Sequence, residues 1–187
     1  MDESGLTNEF SICLMLDDAS TNAVNQIRDI LPPAPLRDDS PHVTLLRSIG
    51  TPSDMKDEDL LEDMERILKL SSSLPFTARV VKISNIYSPL FGITSSVTLK
   101  ASSELATYQK KLKKVLRAQN YSIGFFARLA FMPHISVRLG VPYNKQAKET
   151  TEKVFAPGTK LTFVKWAILR DVKKDGKYLV KEIVPDS

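Results

Sequence analysis

Pro41-His42-Val43-Thr44-Leu45 and Pro133-His134-Ile135-Ser136-Val137 are one phrase written twice: proline, histidine, apolar residue, hydroxyl, apolar residue. The chain has 187 residues and two histidines, and both histidines lie in this phrase. In an extended strand residues i and i+2 share a face. His42 then stands beside Thr44 and His134 beside Ser136, while Val43, Leu45, Ile135 and Val137 point the other way, into a core. The expectation is a shared cleft lined by two imidazoles and two hydroxyls. A lone histidine on a strand is ordinarily a structural or surface residue. A doubled phrase that uses every histidine in the chain is not accounted for in that way.

Working outward, the order of elements repeats around the two phrases. After His42 come a strand to Ser48, a break at Gly50 and Pro52, an acidic helix over 54–70, a turn, and a long strand from Phe76 to Ile86. The second phrase lies in a strand from Phe131 to Leu139, followed by a break at Gly140 and Pro142, a helix from Tyr143 to Phe155, Pro157-Gly158, and a long strand from Leu161 to Val172. The histidines are 92 positions apart (134 − 42), about half the chain. Phe10 to Leu16 reads as a strand and 19–31 as a helix stopped by Pro32-Pro33. Ile93 to Lys100 reads as a strand, and 103–119 as a helix with Ser102 or Ser103 as its cap. Tyr121 to Ala130 is irregular. Ser53 is a plausible helix cap, and Asp175-Gly176 signals a hairpin into a last strand, Tyr178 to Val184. The economical architecture is α+β: one domain over 1–187 made of two related, intertwined lobes, each giving one histidine strand (near 42–48 and 134–139) to a central cleft.

A composition of 42% hydrophobic and 26% charged residues is that of a globular protein able to bury a core. No apolar run reaches the length of a membrane span, and the acidic, polar stretch from Met1 to Glu9 is no secretory signal. One cysteine, Cys13, excludes an intramolecular disulfide and suits a reducing, cytoplasmic setting. The net charge is +4. Residues 54–65 are strongly acidic, and Lys110, Lys111, Lys113, Lys114 and Arg117 form a basic block. Both are expected to be solvated helix faces, the basic one able to attract an anion at long range.

Two imidazoles suit general acid–base catalysis, because their proton equilibrium lies near neutrality. Hydroxyls two residues on can donate to the non-bridging oxygens of a phosphate in its transition state. Arg138, at i+4 from His134, falls on the cleft face by alternation and offers a cationic fork. Arg47, at i+5 from His42, is turned away by the same alternation unless the strand is bulged, and otherwise reads as a surface arginine. Tyr87, Phe91, Phe125 and Phe126 lie in loop-like stretches and are expected to pack beneath loops; Trp166 belongs to the core. Two histidines and one cysteine fall short of a structural zinc set, though carboxylates could complete a catalytic one. No G-x-x-x-x-G-K-[ST] or G-x-G-x-x-G motif is present, so no nucleotide cofactor and no ATP-dependent ligation are expected.

The paired phrase resembles the His-x-[Thr/Ser]-x signature of the 2H phosphoesterase superfamily. The chain looks like its bacterial branch of 2′-5′ RNA ligases and cyclic phosphodiesterases. Phe76 to Tyr87, Gly92 to Leu99 and Glu104 to Leu116 are similar to the family's strand, strand and helix ahead of the second motif, and Phe163 to Tyr178 to its closing hairpin. The resemblance implies a bilobal, pseudo-two-fold fold, two antiparallel sheets lining a cleft with helices outside. It implies metal-free attack on 2′,3′-cyclic phosphates or 2′-5′ bonds of RNA or nucleotides, and a monomer without cofactor is expected. His42 and His134 become acid and base, the latter preferred as base for hydrolysis, with Thr44 and Ser136 on phosphate and Arg138 and Arg47 as substrate-binding residues. Hydrolysis to a 2′-phosphate is the expected reaction, with 2′-5′ ligation or 2′-5′ oligonucleotide cleavage as neighbours and a non-catalytic RNA-end binder as the competing class. Where family members often carry arginine five residues after the second histidine, this chain has Leu139.

Overall fold

The computed structural model describes residues 6–34, 40–52, 55–71, 74–88, 92–124, 131–172 and 177–183. In chain order the elements are β1 (Leu6–Leu16), α1 (Asp18–Ile30), β2 (His42–Gly50), α2 (Asp57–Ser71), β3 (Phe76–Ser88), β4 (Gly92–Ala101), α3 (Ser103–Ala118), β5 (Ser122–Ile123), β6 (His134–Arg138), α4 (Lys145–Val154), β7 (Lys160–Val172) and β8 (Lys177–Ile183). The fold is α+β, with every strand pairing antiparallel. Helices begin where side chains satisfy the first free backbone N–H groups: Asp17 accepts from Ser20, Ser102 from Leu105 and Asn144 from Ala147.

Strands hydrogen-bond in the order β1-β2-β6-β4-β3-β7-β8, and a further pairing of β1 with β7 closes the first six into a ring. Two contacts make that ring. On one side β2 and β6 meet at a single pair, Val43 with Ile135. On the other, β7 has β1 along one edge, while its opposite edge takes β3 at Lys160–Phe163 and β8 from Trp166 onward. One face of the strands, carrying Ile12, Leu14, Val43, Val97, Ile135, Val137, Phe163 and Trp166, is buried with α1, α2 and α3 in a continuous core. Trp166 is fully buried, as its apolar strand requires.

Several boundaries differ from the sequence expectation. The second histidine strand starts at His134, with Phe131 to Pro133 outside it. Helix α2 starts at Asp57. Within the stretch expected to be irregular, Ser122 and Ile123 pair with β2. Ser53 and the Asp175-Gly176 turn lie outside the described residues. The faces of α3 are as charge patterning indicates: Leu105, Leu112 and Leu116 are buried, while Lys110, Lys111, Lys114 and Arg117 are exposed.

Candidate functional site

Both histidine phrases are strands whose burial alternates: His42, Thr44, His134 and Ser136 are half-buried, and Val43, Leu45, Ile135 and Val137 are buried. The Val43–Ile135 pair sets the register between them. Counting out from it in an antiparallel pair, His42 stands opposite Ser136 and Thr44 opposite His134. All four therefore share the face away from the core, and the two histidines are diagonal neighbours, about 7–8 Å apart by the usual geometry. At that backbone spacing both side chains can reach one small group.

Each ring is held in the same way. Nδ1 of His42 lies 2.8 Å from the carbonyl oxygen of Ser40, and Nδ1 of His134 lies 3.2 Å from that of Met132. In both cases the carbonyl belongs to the residue just before the proline of the phrase. A carbonyl can only accept, so Nδ1 carries the hydrogen and Nε2 is the nitrogen presented away from its own backbone. The protonation equilibrium of His134 is pulled below the ordinary imidazole range. Burial is the largest cause, and the charges of His42 and Arg47 add to it against the opposing pull of the Met132 carbonyl. Cys13, fully buried on the neighbouring strand, places Sγ 3.8 Å from the Thr44 hydroxyl oxygen.

The arginines exchange the parts that alternation gives them. On β1, Cys13 pairs with Thr44 and the next residue, Ile12, pairs with Leu46, so β2 carries an extra residue at Leu45–Leu46. Both leucines are buried, and Arg47 returns to the cleft face, close enough for its charge to act on His134. Strand β6 has the same irregularity at the same place. Ser96 pairs with Ser136 and Ser95 pairs with Arg138, so Val137 and Arg138 together oppose one residue. The bulge turns Arg138 off the histidine face, correcting the i+4 reading. Its Nη1 donates to the carbonyls of Leu31 (3.1 Å) and Pro32 (2.6 Å), at the C-terminal end of α1 where the chain leaves toward the first histidine. Leu139 takes the position equivalent to Arg47, so the arginine of this pair on the cleft face is Arg47.

The strands flanking the site differ in chemistry. Beside β2, the cleft face of β1 and β7 carries Cys13, Met15, Ala167 and Leu169, a separate buried apolar cluster. Beside β6, the same face of β4 and β3 carries Ser96, Thr98 and Ser84, with the Ser84 and Thr98 hydroxyls 3.5 Å apart. Tyr87 is 73% exposed rather than packed, and sits on the face of β3 opposite Ser84. Phe91, Phe125 and Phe126 lie outside the described residues. Among the described residues no group of three or more His, Cys, Asp or Glu side chains is placed to hold a metal ion, and no helix is long and apolar enough to cross a membrane.

The model of the 2'-5' RNA ligase superfamily matches residues 16–175. Similar solved structures include LigT of E. coli complexed with 3'-AMP, 12% identical, TM-score 0.60, covering 96% of this chain and 98% of that one. TT0787 of Thermus thermophilus is 17% identical, TM-score 0.59, covering 94% and 97%. Usb1 of Kluyveromyces marxianus is 14% identical, TM-score 0.50, covering 95% and 98%. At these identities the likeness speaks for the fold. No curated protein matches the sequence.

Proposed function

The chain belongs to the 2'-5' RNA ligase superfamily of 2H phosphoesterases, and from that premise we propose that it hydrolyses 2′,3′-cyclic phosphates on RNA ends or nucleotides, without a metal, leaving a 2′-phosphate. The observation that carries this reading is the doubled ring geometry. Two imidazoles on one face, on neighbouring strands, are each tethered at Nδ1 to the carbonyl before its proline, which leaves Nε2 of each as the nitrogen for a substrate.

In the proposed step the cyclic phosphate lies between the rings. Neutral His134 takes a proton from water through Nε2 as the water oxygen bonds to phosphorus. His42, carrying a proton on Nε2, gives it to the ribose 3′-oxygen as the phosphorus–O3′ bond breaks. The ring opens to a 2′-phosphate, and the histidines exchange protonation state before the next turnover. The depressed proton affinity of His134 supports its part as base, because more of it is neutral at any pH near 6 than of an ordinary imidazole. The Thr44 and Ser136 hydroxyls and the Arg47 guanidinium would stabilise charge on the non-bridging oxygens. Arg138 acts as a positioning residue, tying the end of the second histidine strand to the connection that leads to the first. On this proposal 1–187 works as one unit of two intertwined lobes. With the 5′-hydroxyl of a second RNA in place of water as the attacking group, the same step would join RNA ends through a 2′-5′ bond, the activity for which the family is named.

The test is incubation of EDTA-treated protein with an RNA oligonucleotide ending in a 2′,3′-cyclic phosphate, with 2′- and 3′-phosphate products resolved. Conversion to the 2′-phosphate supports the proposal. Binding of the end without turnover would contradict it in favour of a non-catalytic module.

A further inference from the structure

Two lysines outside the site described so far occupy equivalent places on either side of it. Met15 pairs with His42 on one side and Lys165 on the other, so Lys165, Met15 and His42 form one row across β7, β1 and β2. Thr98 pairs with His134 on one side and Lys82 on the other, giving the matching row across β3, β4 and β6. Paired residues in antiparallel strands share a face, so both lysines are on the histidine face, each two strands out, about 10 Å from its histidine.

Each lysine owes that placement to a bulge. On β7 the partners step from Phe163 to Lys165 as β1 goes from Leu16 to Met15; on β3 they step from Val80 to Lys82 as β4 goes from Leu99 to Thr98. Phe163 and Val80 are core residues, Val164 and Val81 are the extra ones, and alternation restarts with the lysine on the other face. The sequence repeats accordingly: Val80-Val81-Lys82-Ile83 and Phe163-Val164-Lys165-Trp166. Lys82 is exposed and Lys165 half-buried. Without the bulges both ammonium groups would face the core side.

We propose that Lys82 and Lys165 are phosphate-backbone contacts for the nucleotides flanking the reacting phosphate, one on each side, which makes an oligonucleotide the substrate class of this site. The inference rests on the proposed reading of the histidine pair but is tested by binding, so that it stands or falls separately from turnover. An RNA ending at the reacting phosphate has chain on one side and engages one lysine. An RNA with a 2′-5′ linkage at the reacting position has chain on both sides and engages both.

The experiment is fluorescence anisotropy of labelled RNAs about ten nucleotides long between about 50 and 200 mM KCl, with the intact protein, Lys82→Gln, Lys165→Gln and the Lys→Arg variant of each. One RNA ends in a 3′-phosphate. The other carries a central 2′-5′ linkage whose neighbouring 3′-hydroxyl is replaced by hydrogen, so that it cannot be cleaved by internal transfer. For a single strand each lost phosphate contact should make the slope of log K against log salt shallower by about 0.7. The end-phosphorylated RNA should lose that increment in one Gln variant, the internally linked RNA should lose it in both, and arginine should restore it. Unchanged slopes in both Gln variants, or equal losses in both with the end-phosphorylated RNA, would overturn the proposal. Absence of turnover in the intact protein would overturn the hydrolase reading and leave these slopes as the measure of the lysines.

Discussion

The ring nitrogens decide what each histidine can do. With Nδ1 fixed on a carbonyl, neutral His134 offers a lone pair at Nε2, and His42 can offer an Nε2 proton when charged. The lowered proton affinity of His134 has a directional consequence. A base that protonates less readily keeps its lone pair to lower pH, so the acid limb of kcat/KM should inflect below the usual imidazole value of about 6.5. Arg47→Ala removes one of the charges that lower it. The inflection should then move up while kcat falls about 10²-fold, the cost of losing one transition-state donor. A pH–rate profile of the variant that matched the intact protein would show that Arg47 stands outside the site. Proton NMR can follow the same equilibria, since the chain has two histidines to resolve. The His42→Ala protein should show the His134 titration shifted upward.

At the scale of elements, the paired bulges matter most. In β2 the irregular stretch continues to Ser48, which sits at φ 53°, and the residue after β5 holds it: Gly124 donates its N–H to the Ser48 carbonyl at 2.9 Å. A Cβ on Gly124 would lie 2.8 Å from Ser48 Cβ and 2.9 Å from its carbonyl oxygen, so the backbone must move. Gly124→Ala should cost about 1–3 kcal/mol in urea denaturation, as overpacking does. It should also lower kcat/KM by more than the unfolded fraction explains, because the stretch that aims Arg47 is displaced. Wild-type stability and activity would mean the bulge tolerates the shift. These bulges also mark where alternation in the sequence stops predicting faces. Alternation places His42, Thr44, His134 and Ser136 correctly because the strands are regular over those three-residue spans. It fails one step later, at Leu46 and Arg138, where one extra residue reverses every face beyond it. Nothing in Leu45-Leu46 or Val137-Arg138 announces a bulge, and the faces of Lys82 and Lys165 are hidden by steps of the same kind. The sequence signal for those two positions is the repeated Val-Lys after an apolar residue.

For the whole molecule, the α+β class and the order of elements were legible, because helical and strand periodicities are local. The closed ring was not. It depends on β7 serving β1, β3 and β8, pairings between residues far apart in sequence. The ring brings both histidines to one joint, whose centre is the fully buried pair Val43 and Ile135. Ile135→Ala should cost about 2–5 kcal/mol. Turnover should fall further than stability, since this contact fixes the spacing of the rings. Loss of stability with unchanged kcat would separate the joint from the chemistry.

Turnover of a 2′,3′-cyclic phosphate RNA end by His42→Ala and His134→Ala, each compared with the intact protein after thermal unfolding has shown both to be folded, decides whether the two rings act as acid and base. Each substitution should lower kcat by about 10²–10⁴-fold, the usual worth of a general acid or base. If both single variants kept full activity, the reaction would belong to other residues and the assignment of the site would be wrong.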